Sequence, residues 1–150
     1  MSTTRSIAWP VPHASDFRAG RHVVFSLHAH LVLVPKYRRK IITARVFAIL
    51  LESFQRTCRD FECELKEHGY ESDHVHLLVS FPPKMALSTL VNSLKGVSSR
   101  RLRAANMPDV TKKLWGAHFW SPSYCVVSCG GAPLEVVKQY VERQRGSSPP

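Results

Sequence analysis

Two histidines separated by one residue are the first candidates for chemistry in this sequence. His74 and His76 flank Val75 in a segment whose alternation predicts a β-strand, so both imidazoles should lie on one face, about 7 Å apart at their Cα atoms. Two imidazoles at that separation can share a divalent metal ion. The chain has eight histidines, and such pairs also arise by chance, so this pair alone leaves both interpretations open.

A second pair, Tyr140 and Gln144, lies near the C-terminus with helical spacing. Four residues of separation place both side chains on one face of a predicted helix over 134–145. A glutamine oxygen can complete a metal site begun by two histidines, and such a set suits a divalent ion that polarises a scissile phosphate. Tyr140 would then be positioned as a nucleophile. Taken alone, however, a tyrosine on an amphipathic helix is typical of the edge of a core, with its hydroxyl in water.

The four cysteines do not have the spacing of a structural zinc site. Four residues separate the first pair and three the second, whereas most zinc sites have a gap of two. The cysteines are Cys58, Cys63, Cys125 and Cys129. We expect buried free thiols, because cysteine packs like a small hydrophobic residue.

Composition indicates one globular, strongly basic domain. The 150 residues include 21 Lys+Arg against 11 Asp+Glu, a formal charge of +10, and 44% are hydrophobic. This excludes a disordered chain, and no apolar run reaches the roughly 18 residues of a membrane span. The N-terminus lacks the apolar segment of a signal peptide, which predicts a cytoplasmic protein. Excess positive charge favours a polyanionic partner, nucleic acid first and an anionic membrane surface second.

The predicted elements follow the order β-α-β-β-α-β with a further helix. Thr43 is expected to cap the first helix, a turn is expected around Gly69, and Pro122 favours a bulge or edge position in the fourth strand. The strands are predicted at 23–33, 61–65, 74–81 and 119–128, and the later helices at 87–103 and 134–145. This predicts an α+β, split β-α-β (ferredoxin-like) fold: an antiparallel sheet with helices on one face plus a C-terminal catalytic helix. Residues 1–21 are expected to be a loose extension, 22–145 the domain, and 146–150 a disordered tail.

Five stretches together resemble the single-tyrosine HUH transposases of the smallest bacterial insertion sequences, the TnpA type. They are HLVLVPKYRRKI, DHVHLLVSFPP, LVNSLKGVSSRRL, LWGAHFWSPSYCVVSCGG and VVKQYVERQ. They occur in the family's order and cover about residues 23–144. This combination of motifs is much more specific than the histidine pair alone.

The resemblance implies a role for each candidate residue. His74, His76 and Gln144 would be the metal ligands, for Mg²⁺ or Mn²⁺, and Tyr140 would attack single-stranded DNA, forming a 5′-phosphate linkage and releasing a 3′-hydroxyl. It also implies a homodimer that recognises imperfect DNA hairpins near element ends. Because the tyrosyl linkage stores the energy of the phosphodiester, rejoining needs no nucleotide cofactor, and the sequence contains no Gly-rich phosphate loop.

Two basic clusters are candidates for DNA binding. Their cations can bind phosphates, and Tyr37 can stack on an unpaired base. Each charge is also compatible with an ordinary solvated helix face, and Arg100 and Arg103 could instead stabilise the C-terminal end of their helix. The clusters are Lys36, Tyr37, Arg38, Arg39 and Lys40, followed by Lys95, Arg100, Arg101 and Arg103.

Two other functions remain compatible with the sequence. A non-catalytic single-stranded nucleic-acid-binding module could share the topology, although the aromatic RNA-binding signature on a strand is missing and such a module has no need of His-x-His. A host-domesticated HUH nuclease acting on repeated chromosomal hairpins would keep the same chemistry. Hairpins flanking the gene at both ends would indicate a mobile element instead.

Overall fold

The computed structural model describes residues 18–114, 118–128 and 141–142. Its strands are β1 (Arg18–Ala19), β2 (Val24–Phe25), β3 (His28–Leu33), β4 (Glu64–Glu71), β5 (His74–Ser80) and β6 (Cys125–Ser128). Its helices are α1 (Ala44–Asp60), α2 (Leu87–Ala104) and α3 (Pro108–Leu114), with a short 3-10 helix at Lys36–Arg38.

The main sheet has four antiparallel strands in the order β4-β5-β3-β6. The strands at its centre, β5 and β3, are not consecutive in the chain, and α1 and α2 make the two crossovers. This is the split β-α-β arrangement that the sequence predicts. β1 and β2 pair with each other in a separate two-stranded ribbon.

Helix α1 begins and packs as its sequence indicates. The Thr43 hydroxyl accepts a hydrogen bond from the Val46 amide at 3.2 Å, a cap worth about 1 kcal/mol. Val46, Leu50 and Phe54 recur at helical spacing and are fully buried, because they form the face that packs on α2 and the sheet.

Different groups of residues pack on the two faces of the sheet. Val75, Leu77 and Val79 of β5 are completely buried in the core formed with α1 and α2. His74 and His76 alternate with them and therefore lie on the opposite face. That face has a smaller apolar cluster of its own, Val32, Val34 and Val141, with Cys125 packed against it.

The strand predicted at 23–33 is in fact two strands. Residues Val24–Phe25 pair with Arg18–Ala19, and the Gly20 amide donates to the Val23 carbonyl at 2.6 Å, so the chain closes a local hairpin before β3 joins the main sheet. The alternation of apolar residues continues across the break, and for this reason the sequence pattern did not reveal it.

The prediction of a turn around Gly69 is wrong. Gly69 lies inside β4, paired with His76 of β5, and the turn between these strands is at Ser72 and Asp73. The strand itself begins at Glu64 rather than Phe61, since Phe61 caps α1 and Glu62 has a positive φ of 60°.

The fourth strand is shorter than the predicted 119–128. Only Cys125–Ser128 pairs with β3, at the edge of the sheet, while Trp120 makes an isolated bridge to Pro35. Pro122 lacks an amide hydrogen and interrupts the pairing, as its expected edge position suggested. Helix α3, which begins at Pro108, was not predicted.

The remaining predictions are tested only in part. Within the predicted extension 1–21, residues 18–21 are described, and pairing starts there with Arg18. Cys58 and Cys63 are buried free thiols, as predicted, whereas Cys125 is a free thiol that is only partly buried. Cys129, the tail 146–150 and the helix 134–145, apart from helical residues 141–142, lie outside the described residues. In the described part of the chain, no helix is long and apolar enough to cross a membrane.

Candidate active site

The two histidines of β5 lie side by side on the face of the sheet opposite the main core. The ring centroids of His74 and His76 are 6.2 Å apart, with an interplanar angle of 37°. The buried residues between and beyond them fix the strand against the core. The structure therefore confirms that the pair shares one face, at a separation that a single metal ion can bridge.

An aspartate that sequence reasoning missed holds the first histidine. Nδ1 of His74 lies 2.9 Å from Oδ1 of Asp73, while Oδ2 of Asp73 accepts from Nε of Arg38 at 2.6 Å. Burial alone would raise the pKa of Asp73, but the hydrogen bonds from His74 and Arg38 and their charges outweigh it and lower this pKa. The ionised carboxylate thus receives the Nδ1 proton, so that in the neutral form of the ring Nε2 of His74 is the nitrogen with a free lone pair.

The second histidine is kept neutral and is given room by a glycine. Partial burial, with added repulsion from His74 and His30, lowers the pKa of His76, which favours the neutral imidazole that binds metals. Gly69 is its cross-strand partner, and a Cβ at Gly69 would come within 2.5 Å of Nε2 of His76. A side chain at position 69 would force this ring to move.

The donor set fits a divalent metal that takes further ligands from elsewhere. Two imidazoles, one oriented by a carboxylate and one kept neutral, form a suitable partial site. Among the described residues, no cluster of three or more His, Cys, Asp or Glu side chains could hold a metal ion. The predicted third ligand, Gln144, and the predicted nucleophile, Tyr140, lie outside the described residues.

The C-terminal segment nevertheless reaches the histidine face. Val141 is 6% exposed and packs with Val32 and Val34, and Val32 is the register partner of His76. Val141 is therefore anchored on the strand next to the histidines, on the same face of the sheet.

Three of the predicted DNA-binding cations have partners within the protein. The Arg38 side chain is 11% exposed and paired with Asp73. Arg101 forms an ion pair with Glu52 across α1 and α2. Lys95 donates to the carbonyls of Ser121 and Ser123 at 2.7 and 3.0 Å, and burial lowers its pKa.

These contacts give all three residues a structural role. Lys95 fastens the loop that leads into β6 to the middle of α2, and its ammonium also lies 5.3 Å from the ring centre of Tyr124. Arg38 ties the turn after β3 to the turn before β5. No sequence pattern indicates these contacts, because the paired residues are far apart along the chain.

Part of the first cluster lines a groove, at Lys36, Tyr37 and Arg38. The Tyr37 ring is 37% exposed, with Nζ of Lys36 at 5.4 Å and Cζ of Arg39 at 5.3 Å from its centre. A cavity of about 360 Å³ lies between this turn and the loop 121–123. It adjoins a second cavity, of about 450 Å³, with which it shares Lys36 and Ser121. Lys40, which follows this turn in the chain, is exposed, and Arg100 and Arg103 are exposed on α2.

Comparison with known proteins gives a consistent set of relatives. The family model described as an IS200-like transposase matches residues 23–144. The ISDra2 transposase TnpA of Deinococcus radiodurans is 33% identical over 129 residues, which cover 86% of this chain and 91% of that protein. The transposase for insertion sequence element IS200 of Salmonella typhimurium is 27% identical over 129 residues, covering 86% and 84%.

Solved structures show the same likeness. A crystal structure of a Deinococcus radiodurans protein described as a transposase superposes with a TM-score of 0.77 at 31% identity, covering 85% of this chain and 97% of that one. A REP-associated tyrosine transposase bound to a REP hairpin has a TM-score of 0.51 at 13% identity, covering 83% and 68%. At that identity the second likeness concerns the fold alone.

Proposed function

Because this chain belongs to the IS200-like transposase family, we propose that it is a cytoplasmic transposase that cleaves and rejoins single-stranded DNA at the ends of an insertion sequence. Tyr140 is the nucleophile, and His74, His76 and Gln144 hold Mg²⁺ or Mn²⁺. The substrate is a DNA hairpin and the active form is a homodimer.

The observation that carries this proposal is the meeting of two chain segments on one face of the sheet. His74 and His76 lie there in a ligand-like pair, and Val141 packs there beside the strand that pairs with His76. Tyr140 is adjacent to Val141 in the chain and Gln144 is three residues further on. At about 3.8 Å between consecutive Cα atoms, both residues are within reach of the pair.

The chemistry assigned to the chain's own residues is an exchange of phosphodiester bonds. The Tyr140 oxygen attacks the phosphorus, the bond from phosphorus to the 3′-oxygen breaks, and the strand leaves with a 3′-hydroxyl. Since one phosphate ester replaces another, no nucleotide cofactor is required. The metal, when bound, polarises the scissile phosphate and offsets its developing charge, while the protein supplies position.

The groove beside the Tyr37 turn suits the single-stranded part of the substrate. Lys36 and Lys40 bring positive charge and Tyr37 presents a ring on which a base can stack. Arg100 and Arg103 add exposed charge along α2. Each of these contacts would contribute to an affinity that falls as salt rises.

A cleavage assay tests the proposal. A labelled single-stranded hairpin from the gene's own flanks is incubated with protein in Mg²⁺, in Mn²⁺ and with chelator. We expect a covalent adduct that needs the metal and disappears in Tyr140→Phe, while hairpin binding by that variant is retained. Hairpin binding without an adduct in either metal would contradict the enzymatic assignment and favour the binding-module alternative.

A further inference from the structure

We propose that Asp73 is a positioning residue for the metal ligand His74, and that Arg38 anchors Asp73 instead of contacting DNA phosphate. The inference rests on the proposed function, because it concerns the site that holds the metal. It changes the role of Arg38, which the sequence assigned to DNA binding.

Asp73 is held at both ends of its carboxylate. Oδ1 accepts from His74 and Oδ2 accepts from Arg38, at 2.9 and 2.6 Å. The three side chains are between 11% and 15% exposed, so water competes little for these bonds. With both oxygens engaged on different elements, the carboxylate cannot rotate without breaking one of the two contacts.

The bond to Nδ1 determines how His74 can bind a metal. It fixes the proton on Nδ1 and thereby fixes Nε2 as the donor atom. It also sets the orientation of the ring, because rotation would separate Nδ1 from the carboxylate. His74 is thus oriented before any metal arrives.

The backbone around Arg38 directs its side chain to Asp73. Tyr37 and Arg38 have consecutive positive φ angles of 62° and 54°, which non-glycine residues rarely adopt. The Arg38 amide donates to the Pro35 carbonyl at 2.8 Å and closes this turn. The guanidinium is directed inward as a result, and its Nη1 is buried and has no hydrogen-bond partner in the described part of the chain. Arg38 is among the residues that line the cavity beside this turn, but only 11% of its side chain is exposed, so it presents little surface to a DNA backbone.

Two measurements on the full chain separate positioning from a purely structural ion pair. The first is the tautomer of His74 without metal, from ¹⁵N spectra in which its signals are identified by their loss in His74→Gln. The second is Mn²⁺ affinity by EPR titration. We expect Nδ1 to be protonated in the wild type, and Asp73→Ala to lose this preference and bind Mn²⁺ about 10- to 100-fold more weakly.

Two further variants test the role of Arg38 independently of Asp73 and control for the loss of an ion pair. Arg38→Lys keeps the charge but lacks Nε; we expect weaker Mn²⁺ binding with unchanged hairpin affinity and salt dependence. Glu52→Gln breaks the exposed pair with Arg101 and should change neither the tautomer nor Mn²⁺ affinity.

Several results would overturn the inference. Wild-type affinity for Mn²⁺ in folded Asp73→Ala, or a wild-type His74 protonated on Nε2, would remove the role of Asp73. Weaker hairpin binding with normal Mn²⁺ affinity in Arg38→Lys would return Arg38 to the DNA interface. If Asp73→Ala does not fold, the His74 tautomer in the wild type and the Mn²⁺ affinity of Arg38→Lys test the inference instead. If the wild type binds no Mn²⁺, the proposed metal chemistry fails, whereas the tautomer still decides whether Asp73 orients His74.

Discussion

Gly69→Ala should weaken metal binding and DNA cleavage while leaving the fold in place. Gly69 faces His76 across β4 and β5, and a new Cβ would lie 2.5 Å from Nε2 of His76. Ordinary contacts of a Cβ begin at 3.4 Å, so the ring must retreat by about 1 Å or take another rotamer. The obstacle is the end of a side chain, so the ring yields and the backbone stays.

The size of the effect follows from this displacement. A misplacement of about 1 Å in a reacting group costs roughly 100-fold, which is about 2.7 kcal/mol at about 1.36 kcal/mol for each factor of ten. The fold is affected much less. Alanine recovers about 0.5–1 kcal/mol of the entropy that glycine loses on folding, and an off-rotamer histidine costs about 0.5–1.5 kcal/mol, so the two terms nearly cancel.

The assay combines Mn²⁺ titration, adduct formation and urea unfolding on the same preparations. Gly96→Ala is the matched control, because the new Cβ in α2 meets only the guanidinium of Arg100, at 3.3 Å. The control should gain up to about 1 kcal/mol of stability from helix propensity and keep its metal affinity. A folded Gly69→Ala protein that binds Mn²⁺ like the wild type would refute the reasoning.

Three other predictions concern stability and reactivity. The pKa of Asp73 is lower in the folded state, so the unfolded chain takes up this proton first as pH falls below about 4. The contribution of the ionised Asp73 to the free energy of unfolding is then lost. In urea melts between pH 6 and pH 3, the free energy of unfolding of Asp73→Asn should therefore fall less steeply than that of the wild type. Ser98→Ala leaves the indole N–H of Trp120, now 2.9 Å from the serine hydroxyl, without that acceptor, and should cost about 1–3 kcal/mol in the same measurement. Burial raises the pKa of Cys58 to about 12 and that of Cys63 to about 11. Brief treatment with iodoacetamide at pH 8 should therefore modify both thiols only after unfolding, as counted by mass spectrometry. Rapid labelling of the native protein would contradict this.

Local periodicity predicted the parts of the fold that depend on which way a side chain points. Alternation in β5 placed Val75 and Leu77 in the core and the histidines on the other face, and both assignments are confirmed. Thr43 likewise begins α1 through a contact only three residues long. Such features follow from backbone geometry and neighbouring residues.

Features that depend on partners distant in the chain could not be predicted in this way. Gly69 was interpreted as a turn residue because glycine is common in turns, but its small size serves His76, which the sheet register brings opposite. Arg38 belongs to a basic cluster and was therefore assigned to DNA, whereas its partner Asp73 follows 35 residues later. Both assignments rested on residue type, which is visible in the sequence, whereas a residue's neighbour in space is not.

The packing of the hydrophobic core determines the geometry of the candidate metal site. His74 and His76 project from the same backbone as Val75 and Leu77, which are completely buried against α1 and α2. The helices therefore fix the strand, the strand fixes the spacing of the two rings, and Asp73 and Gly69 adjust the ring orientations. Val141 packs on the histidine face against Val32 and Val34, so this contact also depends on the position of the sheet.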